Sequence, residues 1–335
     1  QNVTPEEAEE VAYGYLFFMK YTIVYITNRL EPLLHWTLDS MALEIPADER
    51  SDVQFIVVDK YGDDLGRKEW VRALLVDKLD GCKFVHTTVK PNVWCGKHRL
   101  TSADYFAASN YRNTGILLAE APHIAFLDDL SVVCGGWWDH VKQSNADQEV
   151  YLGTYDKHRH MYVDQGVLLS SDPHSIAEDT RRQKLQPGTK DPIPCTGSWM
   201  YGCSFACPTE ALLQVNGFDE DCDSMGSEDY ITGILMEKKG WKFKFCQGMK
   251  TIESDYHHEL GKIAVRVIKP MGDTDASHVV LNSVMNGSKV KSSFYSNKYS
   301  DIREARDYVL QTGKLPECSI PEHDWRDGTL ISKMG

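Results

Sequence analysis

The chain has 335 residues, 42% of them hydrophobic, and carries 49 acidic against 36 basic residues for a net charge of −13. That length supports one large domain or two, with a core that needs no disulfide staples. The acidic balance, without any Lys/Arg block, excludes nucleic-acid binding through phosphate neutralisation. The nine cysteines are odd in number and lack the spacing of a disulfide framework, which favours a reducing, cytoplasmic compartment. The sequons Asn2-Val3-Thr4 and Asn286-Gly287-Ser288 support the alternative, a secretory lumen reached with a targeting segment since removed. Val11 to Ile26, the longest apolar stretch, is broken by Gly14 and Lys20 and is too short and polar for a transmembrane segment.

Residues 1–18 read as an N-terminal helical appendage before Met19. Thr22 to Thr27 is continuous and β-branched, a strand buried on both faces, and a helix follows from Leu33 to Met41. Val53 to Asp59 is a second such strand, ending on an aspartate, with a helix from Lys68 to Leu79. Lys83 to Val89 makes a third strand, Ala103 to Glu120 a helix, and Ile124 to Leu127 a fourth strand. This alternation predicts an α/β fold with a mostly parallel, Rossmann-like central sheet flanked by helices. Residues 171–196 lack an apolar period and read as a long surface loop able to act as a lid. A helix starting at Glu228-Asp229 is closed by Gly240, a strand is expected at Ile263 to Ile268, and a last helix spans Asp301 to Thr312. The expected organisation is a catalytic domain over 19–262, with a nucleotide-binding half to 130 and an acceptor half from 131, then a packed C-terminal extension over 263–335.

Two acidic clusters carry the chemistry. Asp128-Asp129 follows the fourth strand, so its carboxylates stand where the strand opens onto the sheet's carboxyl edge, the place where open α/β sheets bind ligands. Glu228-Asp229 follows a glycine-rich turn and begins a helix. Together they suggest transfer of a sugar from a nucleotide donor. Breaking the anomeric bond leaves negative charge on a diphosphate, which cations must stabilise. Asp128 and Asp129 can ligate a divalent metal, Mn2+ or Mg2+, with an imidazole from His257 or His258 completing the shell. The acceptor hydroxyl must lose a proton as it attacks. Asp229 is the expected general base, and Glu228 holds the acceptor or orients the base, with the two roles exchangeable. The competing readings are a turn or cap for Asp128-Asp129 and a dipole-stabilised helix start for Glu228-Asp229.

Trp199 and Tyr201, in Gly197-Ser198-Trp199-Met200-Tyr201-Gly202, offer aromatic faces to an acceptor sugar, whereas Trp137-Trp138 read as core. His158-Arg159-His160 lacks a further ligand at metal spacing, and Cys203 and Cys207 read as buried thiols.

The order and spacing of four stretches resemble the GT-A glycosyltransferases, most closely the inverting family 2 type. These are Thr27-Asn28-Arg29 with Glu31, Val57-Val58-Asp59, Arg112-Asn113-Thr114-Gly115 leading to Phe126-Leu127-Asp128-Asp129, and Asn216 to Glu220 with Gly226-Ser227-Glu228-Asp229. The resemblance covers about residues 20–260 and implies a UDP- or GDP-sugar donor and a glycan or glycoconjugate acceptor. It implies that Thr27, Arg29 and Glu31 line the base and ribose pocket and that Asp59 hydrogen-bonds the nucleobase. By the same likeness Arg112 helps hold the donor, Asp128 contacts ribose or metal, and Asp129 approaches the metal and diphosphate. The family's metal motif usually places carboxylates two apart, where this chain has Leu130. Either Asp129 takes over that work or the metal is held weakly or indirectly. A sugar-nucleotide nucleotidyltransferase would share the sheet but needs a glycine-rich basic loop after the first strand, which Thr27 to Glu31 does not supply. A catalytically inactive carbohydrate-binding protein is the remaining alternative.

Overall fold

Alternating apolar side chains on β1 (Tyr21–Thr27) and β2 (Val53–Asp59) feed two separate cores, one on each face of a central sheet. The computed structural model describes residues 19–99, 104–186, 188–223, 226–257, 274–317 and 322. The expected appendage at 1–18, the strand at Ile263 to Ile268 and His258 lie outside the described residues. Ile23, Tyr25, Phe55 and Val57 pack on one face against α1 (Leu34–Glu44) and α2 (Leu65–Lys78). Val24, Ile26, Ile56 and Val58 face the other way, toward α3 (Ala108–Leu118). Gly115 lets α3 sit close on β1, since a Cβ there would meet Val24 at 2.4 Å.

β1 pairs in parallel with β2 and with β4 (His123–Asp128), and β2 pairs in parallel with β3 (Lys83–Thr87). Thr27 stands opposite Asp59 and Ile26 opposite Asp128, so the ends of three strands form one edge. The short β5 (Ser131–Cys134) and α4 (Trp137–Asp147) follow, with Trp137 and Trp138 fully buried, as expected. Leu130, at the turn between β4 and β5, is buried in a left-handed conformation with φ 61°.

The second half departs from a mostly parallel sheet. β6 (Val150–His158) pairs in parallel with β12 (Phe243–Ser254), but β11 (Ser204–Pro208) runs antiparallel between β4 and β6. The sheet of this α/β fold is therefore mixed rather than mostly parallel. Burial on both faces is the same for either direction, so the apolar run in β11 does not encode its sense. Direction is set by the connection: residues 197–203 lie at the carboxyl edge of β4, and Ser204 starts opposite Leu127, so the chain must run back down.

The segment 171–196 is not a loose lid either. After the hairpin of β7 (Tyr162–Asp164) and β8 (Val167–Ser170), β9 (Ile176–Ala177) adds to β6 and β10 (Ile193–Cys195) adds to β12. Between them Arg181 is buried in a turn of 3-10 helix. Past β11 come α5 (Thr209–Gln214), α6 (Glu228–Lys238), α7 (Thr274–Met285) and α8 (Ile302–Thr312). Among the described residues no helix is long and apolar enough to cross a membrane.

Candidate active site

Arg112 projects from the buried middle of α3 to the carboxyl edge and joins the two acidic clusters. Its Nη2 donates to both oxygens of Asp128 at 3.0 and 3.1 Å, and its Nη1 donates to Glu228 Oε1 at 2.6 Å. Burial opposes a charge on Arg112, but Asp128, Glu228 and Asp229 hold the guanidinium firmly protonated. Burial, reinforced by the neighbouring Asp229 carboxylate, pushes the Glu228 carboxyl up against the pull of Arg112.

Asp229 is oriented by the chain segment before β11: the Gly202 N–H donates to its Oδ2 at 3.0 Å. Gly202 can approach only because it lacks a side chain; a Cβ would stand 2.4 Å from Arg112 Cζ. A cavity of about 570 Å³ opens here, lined by Asp128, Glu228 and Asp229 together with Tyr155, Glu178 and Tyr201. Tyr201 meets Tyr155 edge-on at 6.4 Å, and the Arg181 guanidinium lies 4.1 Å from the Tyr201 ring centre. Arg181 is itself pinned by Asp179 and by the carbonyls of Trp199 and Gly153. Trp199 is not among the lining residues; it packs edge-on against Phe245, with Lys184 over its ring.

The remaining sequence-derived residues gather at the ends of β1 and β2. Thr27 Oγ1 donates to Asp129 Oδ2 at 2.6 Å, and Arg29 Nε donates to Asp129 Oδ1 at 3.1 Å. Burial pushes the Asp129 carboxyl up to about 6, against the pull of Arg29 and the Thr27 hydroxyl. Asp59 is fully buried and accepts from the Tyr61 N–H, from Arg67 Nε at 2.6 Å and lies 3.2 Å from His86 Nε2. It therefore presents Arg67 to the surface rather than its own oxygens. Glu31, Tyr61, Arg67 and Trp70 line a second cavity of about 670 Å³, and the Arg67 guanidinium lies 4.8 Å from the Trp70 ring centre. His257 Nδ1 lies 2.8 Å from Ser254 Oγ, and its ring meets Trp36 edge-on.

These placements bear on a divalent metal. Both oxygens of Asp129 and both of Asp128 accept from protein donors. Among the described residues no three His, Cys, Asp or Glu side chains gather to hold an ion. As arranged, the donor set does not fit a resident metal.

Sequence reasoning passed over Arg67, Tyr155, Arg181 and Glu253. Glu253 is buried on β12, and burial with the charges of Asp128 and Asp129 pushes its carboxyl well up. Its position after Thr251-Ile252 at a strand end is the same signal that marks Asp128. Arg67 sits one turn into a helix capped by Asp64 and carries no local signal.

No family model and no curated protein matches the chain in sequence. Among solved structures, it is similar to S. aureus TarS 1–349 in complex with UDP, at 14% identity and a TM-score of 0.47 over 80% of this chain and 71% of that one. The same protein with UDP-GlcNAc gives 14% identity and a TM-score of 0.46 over 80% and 72%. GalNAc-T7 with UDP, GalNAc and Mn2+ gives 12% identity and a TM-score of 0.48 over 91% of this chain and 59% of that one.

Proposed function

We propose that the chain is a glycosyltransferase that moves a sugar from a nucleotide-sugar donor to a hydroxyl of a glycan or glycoconjugate, with inversion at the anomeric carbon. One observation carries this reading: Asp128 at the end of β4 and Asp229 at the start of α6 line one cavity, and Arg112 links Asp128 to Glu228, the residue before Asp229. A strand-end carboxylate suits a donor, and a carboxylate held by a backbone N–H suits a base.

In this reading the Asp229 carboxylate takes the proton of the acceptor hydroxyl as that oxygen attacks the sugar carbon, and the diphosphate leaves on the opposite face. Glu228 fixes Arg112, and Arg29, Arg67 and Arg112 supply positive charge along the ends of β1, β2 and β4. The second cavity, with Trp70 and Tyr61 beside Arg67, suits the flat nucleobase and ribose. Metal assistance, expected from the sequence, would require a divalent ion to displace Arg29 from Asp129 or Arg112 from Asp128.

The test is release of UDP or GDP from a panel of nucleotide sugars, with and without Mn2+ or Mg2+, followed by NMR assignment of the product anomer. Slow donor hydrolysis that an acceptor accelerates, with an inverted product, is expected. No turnover of any donor would leave a carbohydrate-binding protein, and synthesis of a sugar nucleotide from a sugar phosphate would make it a nucleotidyltransferase.

A further inference from the structure

The cavity beside Asp229 is unevenly charged. Its acidic lining residues are Asp128, Glu178, Asp179, Asp223, Glu228 and Asp229, against the cations Arg112 and Lys157. Arg112 is already matched by Asp128 and Glu228, while Lys157 Nζ lies 3.7 Å from Glu253, whose carboxyl is pushed well up, and so remains a positive charge on the wall. Arg181, which is not a lining residue, balances Asp179 from behind. Asp223 is kept largely uncharged at neutral pH because burial pushes its carboxyl up to about 8. Asp128, the exposed Glu178, Glu228 and Asp229 then stand against Arg112 and Lys157, so carboxylates outnumber cations in the lining and the field inside it is negative. Phe106, Tyr155 and Tyr201 give the wall its aromatic faces, with the Tyr155 and Tyr201 rings set edge-to-face at 73°.

We infer that the acceptor is an uncharged or amine-bearing saccharide end, and that carboxylated, sulfated or phosphorylated glycans are kept by charge from the part of this cavity beside Glu178, Tyr201 and Asp229, while the donor's diphosphate lies toward Arg29 and Arg67. The inference rests on the proposed transfer reaction and names the acceptor class for its site. Aromatic faces take the apolar face of a sugar ring, and carboxylates accept hydrogen bonds from its hydroxyls or from an ammonium group. An acidic group on the acceptor would instead face like charges in a partly enclosed site, where screening is weaker than in bulk water. Such rejection is a specificity device that needs no contact with the accepted substrate.

An array of neutral, amine-bearing, carboxylated and sulfated oligosaccharides, probed with the labelled full chain, tests this. Neutral and amine-bearing glycans should be retained about tenfold better than acidic ones of the same backbone. Raising the salt from about 50 to about 500 mM should weaken the amine-bearing set and narrow the gap. Glu178→Lys should narrow it at low salt as well. Acidic glycans retained as well as neutral ones, or no glycan retained at all, would overturn the inference. Nucleotide-sugar turnover in the same preparations separates the two failures. Turnover together with retained acidic glycans sinks only the acceptor class, whereas neutral glycans retained without turnover of any donor sink the transfer reaction.

Discussion

Arg112 Nη1 stands 2.6 Å from Glu228 Oε1, a contact between the middle of α3 and the first residue of α6 across 116 positions of sequence. With Nη2 on Asp128, it makes one guanidinium responsible for two carboxylates that would otherwise repel each other. The pair is buried, so its loss is not a surface event.

Arg112→Met should therefore destabilise the fold by about 2–4 kcal/mol, because the buried Glu228 and the half-buried Asp128 lose their counter-charge. Arg112→Lys should recover part of the stability but not the two-sided geometry, since an ammonium cannot hold both partners as a planar fork does. Chemical denaturation of both variants measures this. A cost under about 1 kcal/mol for the methionine variant would mean that the contact is an ordinary surface pair.

Asp229→Asn should lower transfer by about 10²- to 10⁴-fold, the usual worth of a positioned base, while donor affinity stays within a few-fold of wild type. Nucleotide-sugar titration by calorimetry, set beside turnover, separates the two. Parallel loss of binding and turnover counts against the base.

Gly202→Ala adds a methyl group where Arg112 Cζ would be 2.4 Å away. The segment must retreat, and the Gly202 N–H then leaves Asp229. Stability should fall by about 1–3 kcal/mol, as for overpacking elsewhere, and turnover should fall more steeply than that loss explains. A variant with wild-type turnover would show that this N–H does not orient the base.

Asp223 accepts from the backbone N–H groups of Ser109 and Asn110 and from Asn110 Nδ2. Burial still pushes its carboxyl from 3.8 up to about 8. Between those values the folded chain keeps a proton that the unfolded chain releases, so this group's contribution to stability falls as pH rises from about 4 toward about 8. Asp223→Asn has no such proton. Wild type should lose stability relative to this variant between pH 5 and pH 8, by at most about 1.4 kcal/mol per pH unit. Any fixed cost of the amide cancels in that comparison. Urea midpoints that shift equally in both proteins would contradict it.

Where structure follows from local pattern, the sequence reads clearly. The bounds of β2, ending on Asp59, and the start of α6 at Glu228 are as expected, because a strand buried on both faces and a carboxylate helix start each show in a few residues. The Asp128 strand end is legible for the same reason. What escapes depends on residues far apart. β11 looks like its parallel neighbours but runs the other way, because the preceding connection ends at the ligand edge. Asp59 gives no sign that Arg67, from the following helix, will cover it. Arg181 lies in a stretch with no apolar period, yet it is buried because Asp179, two carbonyls and two aromatic rings converge on it.

α8 and the strand-free stretch before it stand behind α3, on the side away from the cavity. Ile302 N–H donates to Asn216, Arg306 donates to the Ala119 carbonyl at the end of α3, and Lys90 reaches both Glu220 and the Tyr295 carbonyl. Asn113, the residue after Arg112, closes the ring by donating to Glu220 and the Phe218 carbonyl. These contacts work as a buttress: a chain shortened to end near residue 290 would keep every residue that faces the cavity, yet the wall that aims Arg112 at its two carboxylates would stand unsupported.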